Sequence, residues 1–226
     1  MKRKILAIAA HPDDETLGCG ATLLKHRASG DELTWVIVTR AYVPKWSSDL
    51  ISKKAEEVRK AAKAYGIKKY FHLSFPAARL DRVPQSELMD ELKKVITNIR
   101  PDTIYLVNGA DVHSDHQAVF RAAMSVLKPF YMLKMGVRRV LCYETMSSTE
   151  AAAMALEKTK AFDPTVFNDV SPYLLKKLKI LAMYRTETQP NPMPRGAEAV
   201  KALARLRGAT VGVKYAEAFV LIRELL

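Results

Sequence analysis

Two short clusters of imidazole and carboxylate groups carry most of the chemistry available to this chain. The first, Ala10-His11-Pro12-Asp13-Asp14-Glu15, follows directly on the apolar run Ile5 to Ala10. Like charges this close resist joint ionisation unless a cation or a proton settles among them. The second, His113-Ser114-Asp115-His116, follows the apolar run Thr103 to Val107. Two such clusters at two expected strand ends point to one divalent-metal site assembled from both. A catalytic zinc site commonly takes three protein ligands from His and carboxylate and leaves one position open. His11, Asp14 and His116 form such a set. An ion held there lowers the pKa of water toward about 7 and polarises a carbonyl. Asp13, beside a ligand but not spent as one, is the expected general base. His113 is expected across the substrate, where its protonated ring stabilises an oxyanion and then donates to a leaving nitrogen. Asp115 is expected to orient that ring and favour its charged form.

These residues need a scaffold that brings two distant segments together. Periodicity predicts strands at Lys4–Ala10, Leu33–Thr39, Tyr70–Phe75, Thr103–Val107 and Val137–Tyr143, with helices at Thr16–Ala28, Asp49–Tyr65, Ser86–Ile99 and His116–Leu127 between them. Ser114 and Gln117 have capping-box spacing, which places His116 in the first turn of its helix. Beyond Phe167 the chain reads as mostly helical, Pro172–Tyr184 and Ala197–Arg207, with a last strand at Ala218–Ile222. Alternating strands and helices imply one Rossmann-like α/β domain over residues 1–226 with a mainly parallel sheet. In the strand order 3-2-1-4-5, strands one and four are neighbours and the ligand crevice opens beyond their carboxyl ends. Both clusters lie there. A dinucleotide is disfavoured as tenant, because the turn after strand one holds His11 and two aspartates instead of glycines. Gly18 and Gly20 come a turn later, and are expected to let the first helix pack closely. His72, in the third strand, and His26, a cation suited to the first helix's C-terminus, read as structural.

Net charge is +12, from 36 Lys and Arg against 24 Asp and Glu. The basic residues are scattered over several helices at solvent-face spacing, so no nucleic-acid partner is expected. The apolar segment after Met1-Lys2-Arg3-Lys4 is six residues long before His11, short of the roughly 7–15 of a secretory signal. No run reaches the roughly 18 apolar residues of a membrane span. Two cysteines in apolar patterns, Cys19 and Cys142, suit buried thiols in the cytoplasm.

The motifs resemble the PIG-L/LmbE-like N-acetylglucosaminyl deacetylases. The family's hallmark Ala-His-Pro-Asp-Asp-Glu stands unchanged at 10–15, and its His-Pro-Asp-His appears as His113-Ser114-Asp115-His116, with Ser for Pro. Tyr143-Glu144, Arg207-Gly208 and Tyr215-Ala216-Glu217-Ala218-Phe219 are similar to the family too. The resemblance implies a metal, usually zinc, on His11, Asp14 and His116, with Asp13 as base and His113 as electrostatic or acid histidine. Fe²⁺ suits the same donors. It also implies N-deacetylation of a small amino-sugar substrate. Arg79, in Phe75-Pro76-Ala77-Ala78-Arg79-Leu80-Asp81, falls where members place a sugar-contacting Arg; a surface Arg on a loop is the plain alternative. Thr39-Arg40-Ala41-Tyr42 departs from the Gly-Glu of many members. Tyr42 and Trp46 stack on a sugar or cover the core edge. The competing functions are a metallohydrolase of another amide or ester, and a non-catalytic metal- or sugar-binding protein. A homo-oligomer is compatible with either.

Overall fold

The computed structural model describes residues 2–151 and 162–226. Its order is β1 Lys4–Ala9, α1 Asp14–Ala28, β2 Glu32–Arg40, α2 Ser48–Tyr65, β3 Lys69–Pro76, a 3-10 turn Leu80–Arg82 and α3 Gln85–Ile99. The chain continues through β4 Thr103–Val107, α4 Ser114–Val126, the short α5 Pro129–Met132 and β5 Arg139–Tyr143. Then come β6 Val166–Asp169, α6 Leu174–Leu181, α7 Ala197–Thr210 and β7 Ala216–Glu224. The seven strands form one sheet in the order β3-β2-β1-β4-β5-β7-β6. The first five are parallel, as the alternating pattern demands, and β7 and β6 are added antiparallel at one edge.

The central strands are apolar at nearly every position because helices cover both faces of a parallel sheet. In β1, Ile5 to Ala9 are all buried, and all five residues of β4 are buried. Pairing of β1 with β4, Ile5 opposite Thr103 through Ile8 opposite Leu106, brings the turns that follow them side by side. Helix α1 lies close on this sheet through a glycine. A Cβ at Gly18 would stand 2.0 Å from the Tyr143 ring of β5. A Cβ at Gly20 would likewise stand 2.3 Å from the Tyr65 hydroxyl of α2.

Beyond Phe167 the chain is mostly helical, with α6 and α7 followed by the last strand β7; the short β6, which pairs with β7, is an element the pattern did not announce. Two expectations need correction. The α4 cap is His113, whose Nδ1 accepts the Asp115 amide at 3.1 Å, while Gln117 turns to the Asp111 carbonyl. His26 is structural, but not as a cation. Burial pulls its pKa down despite Asp31, and the ring bridges the Asp31 carboxylate at 2.7 Å and the Tyr105 hydroxyl at 2.9 Å. Cys19 and Cys142 are free and buried. Among the described residues, no helix is long and apolar enough to cross a membrane.

Candidate active site

The turn from β1 into α1 is tight and strained. Asp13 sits at φ 92°, in the left-handed region, where a residue with a Cβ costs roughly 1–2 kcal/mol. Its carbonyl takes the Thr16 and Leu17 amides at 2.9 and 2.8 Å, opening α1. Its carboxylate makes no cap bond. Asp14 instead reaches back, with Oδ2 accepting the His11 amide at 2.7 Å. This closes the turn and aims the His11 ring and the Asp14 carboxylate at the same point.

From the neighbouring strand, α4 presents His116 in its first turn. The inward atoms then form a triangle. His11 Nδ1 is 3.3 Å from His116 Nε2, His116 Nε2 is 3.3 Å from Asp14 Oδ2, and His11 Nδ1 is 3.6 Å from Asp14 Oδ2. A tetrahedral ion with bonds of about 2.0–2.1 Å holds its ligand atoms about 3.3–3.4 Å apart, so the three donors fit one. Each imidazole has its outer nitrogen committed to a carboxylate. His11 Nε2 meets Asp115 at 2.8 Å, and His116 Nδ1 meets Asp111 at 3.0 Å. A proton on each outer nitrogen leaves two lone pairs facing each other across 3.3 Å, which a shared cation relieves.

The electrostatics agree with that reading. Burial works to lower both imidazoles, yet carboxylates outweigh it. His116 rises to about 10 through Asp14 and Asp111, and His11 rises through Asp115 and Asp14. Burial works to raise Asp14, but the two imidazoles bring it down. Asp13 goes the other way, pushed well above the usual carboxylate range by burial, then by Asp14 and Glu187, against the attraction of Arg195.

Asp115 does not face His113. Its carboxylate is fully buried and accepts His11 Nε2, the Ala78 amide at 2.6 Å and the Leu80 amide at 3.0 Å. It therefore orients His11 and anchors the loop after β3. What reaches His113 from Asp115 is the backbone amide. That donor requires an unprotonated Nδ1 and leaves the proton on Nε2. Burial, together with repulsion from His11 and His116, lowers His113 to about 4, so its ring is neutral rather than cationic. The three imidazoles also bring one nitrogen each within 4.8 Å of one another. The triangle that includes Asp14 is tighter, and His113 has one nitrogen already spent on the helix cap.

A cavity of about 610 Å³ opens over this floor, lined among others by Asp13, His113, Trp46, Leu50, Lys54 and Arg195. Its size suits a small-molecule ligand. Arg79 is exposed and outside that lining, its guanidinium lying 5.3 Å over the Tyr42 ring. Tyr42 in turn meets Trp46 edge-on, and Trp46 alone of the pair faces the cavity. His72 lines the wall, and its Nε2 donates to the Thr39 carbonyl at 2.9 Å. Glu15 is buried behind the site, bonded to the Tyr184 and Thr16 hydroxyls, and burial raises it to about 7. Sequence reading missed Asp111, Glu187, Arg195 and Lys54. Asp111, two residues before His113, carried a local signal, since Asp and Asn commonly accept the amide two residues on, as Asp111 does from His113 at 2.8 Å.

Fold and site together define an α/β protein whose topological switch point holds a convergent set of imidazole and carboxylate groups able to hold a metal ion. The chain belongs to the PIG-L family, described as GlcNAc-PI de-N-acetylase, which matches residues 6–127. It is 32% identical to an uncharacterised deacetylase, YaiS, of Escherichia coli over 192 residues, covering 82% of this chain and 92% of that one. It is 25% identical to a probable N-acetyl-α-D-glucosaminyl L-malate deacetylase of Bacillus cereus, covering 84% of this chain and 86% of that one. A conserved protein of Thermus thermophilus superposes with a TM-score of 0.77 at 27% identity, covering 99% of this chain and 96% of that one.

Proposed function

We propose that this protein is a zinc-dependent N-deacetylase that removes the acetyl group from an N-acetylglucosamine-type sugar or conjugate. The observation that carries this reading is the triangle of His11 Nδ1, Asp14 Oδ2 and His116 Nε2 at the floor of the cavity. Membership of a de-N-acetylase family supports the reaction, and a relative named for a glucosaminyl malate supports the substrate class.

His11, Asp14 and His116 hold the ion in this reading, and Asp115 and Asp111 fix the two rings. A bound divalent ion acidifies water and polarises the amide carbonyl. Asp13 lines the cavity beside Asp14 with its carboxylate not spent on the helix cap, and takes the proton from the attacking water. His113, neutral with its proton on Nε2, donates a hydrogen bond to the charge that develops at the carbonyl oxygen. The proton taken by Asp13 then passes to the departing amine, which leaves a free amino sugar and acetate. Apolar Trp46 and Leu50 on the wall face the sugar and its substituent. We place the reaction in the cytoplasm, which two free, buried cysteines support.

Acetate release from a panel of N-acetylated sugars, with and without a chelator, tests the proposal. Hydrolysis lost to chelator and restored by zinc is the expected result. Hydrolysis indifferent to chelator would remove the metal from the mechanism. Zinc binding without hydrolysis of any sugar would favour another amide or ester, or a non-catalytic binding protein.

A further inference from the structure

Four residues of alternating charge line the cavity, from three separate segments: the β1–α1 turn, α2 and the α6–α7 connection. Lys54 of α2 pairs with Glu187 Oε1, in the loop after α6. Glu187 Oε2 holds Arg195 Nη1 at 3.3 Å, just before α7. The same Nη1 lies 3.6 Å from Asp13 Oδ2. Two polar atoms meet here without hydrogen-bond partners among the described residues, Asp13 Oδ2 and Arg195 Nε, and both are buried. The Arg195 backbone is itself tied down, its amide donating to Gln189 Oε1 at 3.3 Å.

Asp13 needs such a neighbour. It stands at the N-cap of α1, where an Asp side chain normally turns back to accept an amide of the first helical turn. Here it makes no cap bond and stays toward the cavity, although Asp14, Glu15 and Glu187 repel it. The Arg195 guanidinium, with Nη1 3.6 Å from Asp13 Oδ2, is the cation set against that repulsion.

We propose that Arg195 is a positioning residue for Asp13, drawing its carboxylate away from the helix cap and toward the cavity, and that Glu187 and Lys54 hold Arg195 in place. The proposal rests on the reading of Asp13 as the base. Arg195 acts through that carboxylate and not on the sugar, and its effect is therefore on turnover and disappears when the base is gone.

A double-mutant cycle decides it, with kinetics on the best N-acetylated sugar of the panel and zinc content measured for each variant. Arg195→Ala should lower kcat by about 10–10²-fold, the usual effect of a misplaced catalytic group, with KM little changed and zinc retained. In the Asp13→Asn background, Arg195→Ala should have almost no further effect. Equal losses in both backgrounds, or a loss confined to KM, overturn the proposal and make Arg195 a substrate contact. Full turnover in Asp13→Asn alone would instead sink the reading of Asp13 as base, so the two failures are distinguishable. Glu187→Gln, which loosens Arg195 without removing it, should show a smaller loss that also vanishes with Asp13→Asn. Should no sugar be hydrolysed, the same cycle is read in urea midpoints. Arg195→Ala should lower the midpoint more in the wild type than with Asp13→Asn, where only the Glu187 pair is lost, and equal lowering overturns the proposal.

Discussion

Replacing Asp111 by Asn keeps the size of the side chain but removes the charge that holds the His116 ring at 3.0 Å and collects the Ser148 and Thr149 hydroxyls at 2.9 and 2.7 Å. Loss of an orienting carboxylate typically weakens metal binding about 10–100-fold, or roughly 1.4–2.7 kcal/mol. How much of this is visible depends on pH. With no ion bound, His116 keeps its proton up to about pH 10, because Asp14 and Asp111 outweigh the burial that opposes the charged ring. A cation arriving at pH 7 must displace that proton, a penalty of about three pH units or roughly 10³-fold in apparent affinity. Asp111 strengthens the hold on proton and cation alike, so Asp111→Asn reduces the penalty as well as the grip. The two effects partly cancel near neutrality, and the loss should reach full size only at alkaline pH. Competition with a chromophoric chelator for zinc across this range is the assay. Wild-type affinity should climb about tenfold per pH unit while the Asp111→Asn curve climbs less steeply and falls progressively behind. A wild-type affinity flat between neutral and alkaline pH, or two superimposable curves, would refute the reasoning.

The remaining predictions separate roles within the site and test its support. Asp13→Asn should keep zinc and lose about 10²–10⁴-fold in rate, whereas His116→Ala should lose the metal, as read by elemental analysis. His113→Ala should also keep zinc and depress kcat. Because burial and the neighbouring imidazoles hold His113 at about 4, the wild-type kcat profile should lack a limb near pH 6.5 that this variant abolishes. Gly18→Ala should destabilise by up to about 2 kcal/mol net in urea titration, since overlap of the new Cβ with the buried Tyr143 ring costs roughly 1–3 kcal/mol against the roughly 1 kcal/mol gained in helix propensity.

What was legible in the sequence was what is local. Apolar runs and the helices between them placed β1 beside β4, and contiguous motifs delivered His11, Asp14 and His116 to one point. β6 escaped because an edge strand of four residues, Val166–Asp169, offers no buried alternation to read. The partner of Asp115 escaped for a geometric reason. Proximity in sequence suggested His113, but the helix begins between them, and the Asp115 side chain leaves the first turn toward the β1–α1 turn and the loop after β3. Arg195 and Glu187 carry no local signature. They become part of the site because the long C-terminal segment folds back over the cavity, and no spacing rule reports that.

The two motifs are interlocked, which explains why neither is intelligible alone. Asp115 from the second motif orients His11 of the first, and Asp14 from the first closes the triangle on His116 of the second. Each motif therefore supplies a group that its counterpart about a hundred residues away needs, an orienting carboxylate in one direction and a donor of the triangle in the other, and neither turn presents the full triangle by itself. The register of β1 against β4, Ile8 opposite Leu106, is then part of the chemistry. A slip of one residue would shift one turn by about 3.3 Å, as far as the ligand atoms stand apart, and would reverse the faces of every side chain on the strand. Burial of both strands on both faces makes that slip prohibitive. The same apolar packing that holds the centre of the sheet thus sets the ligand distances at its end.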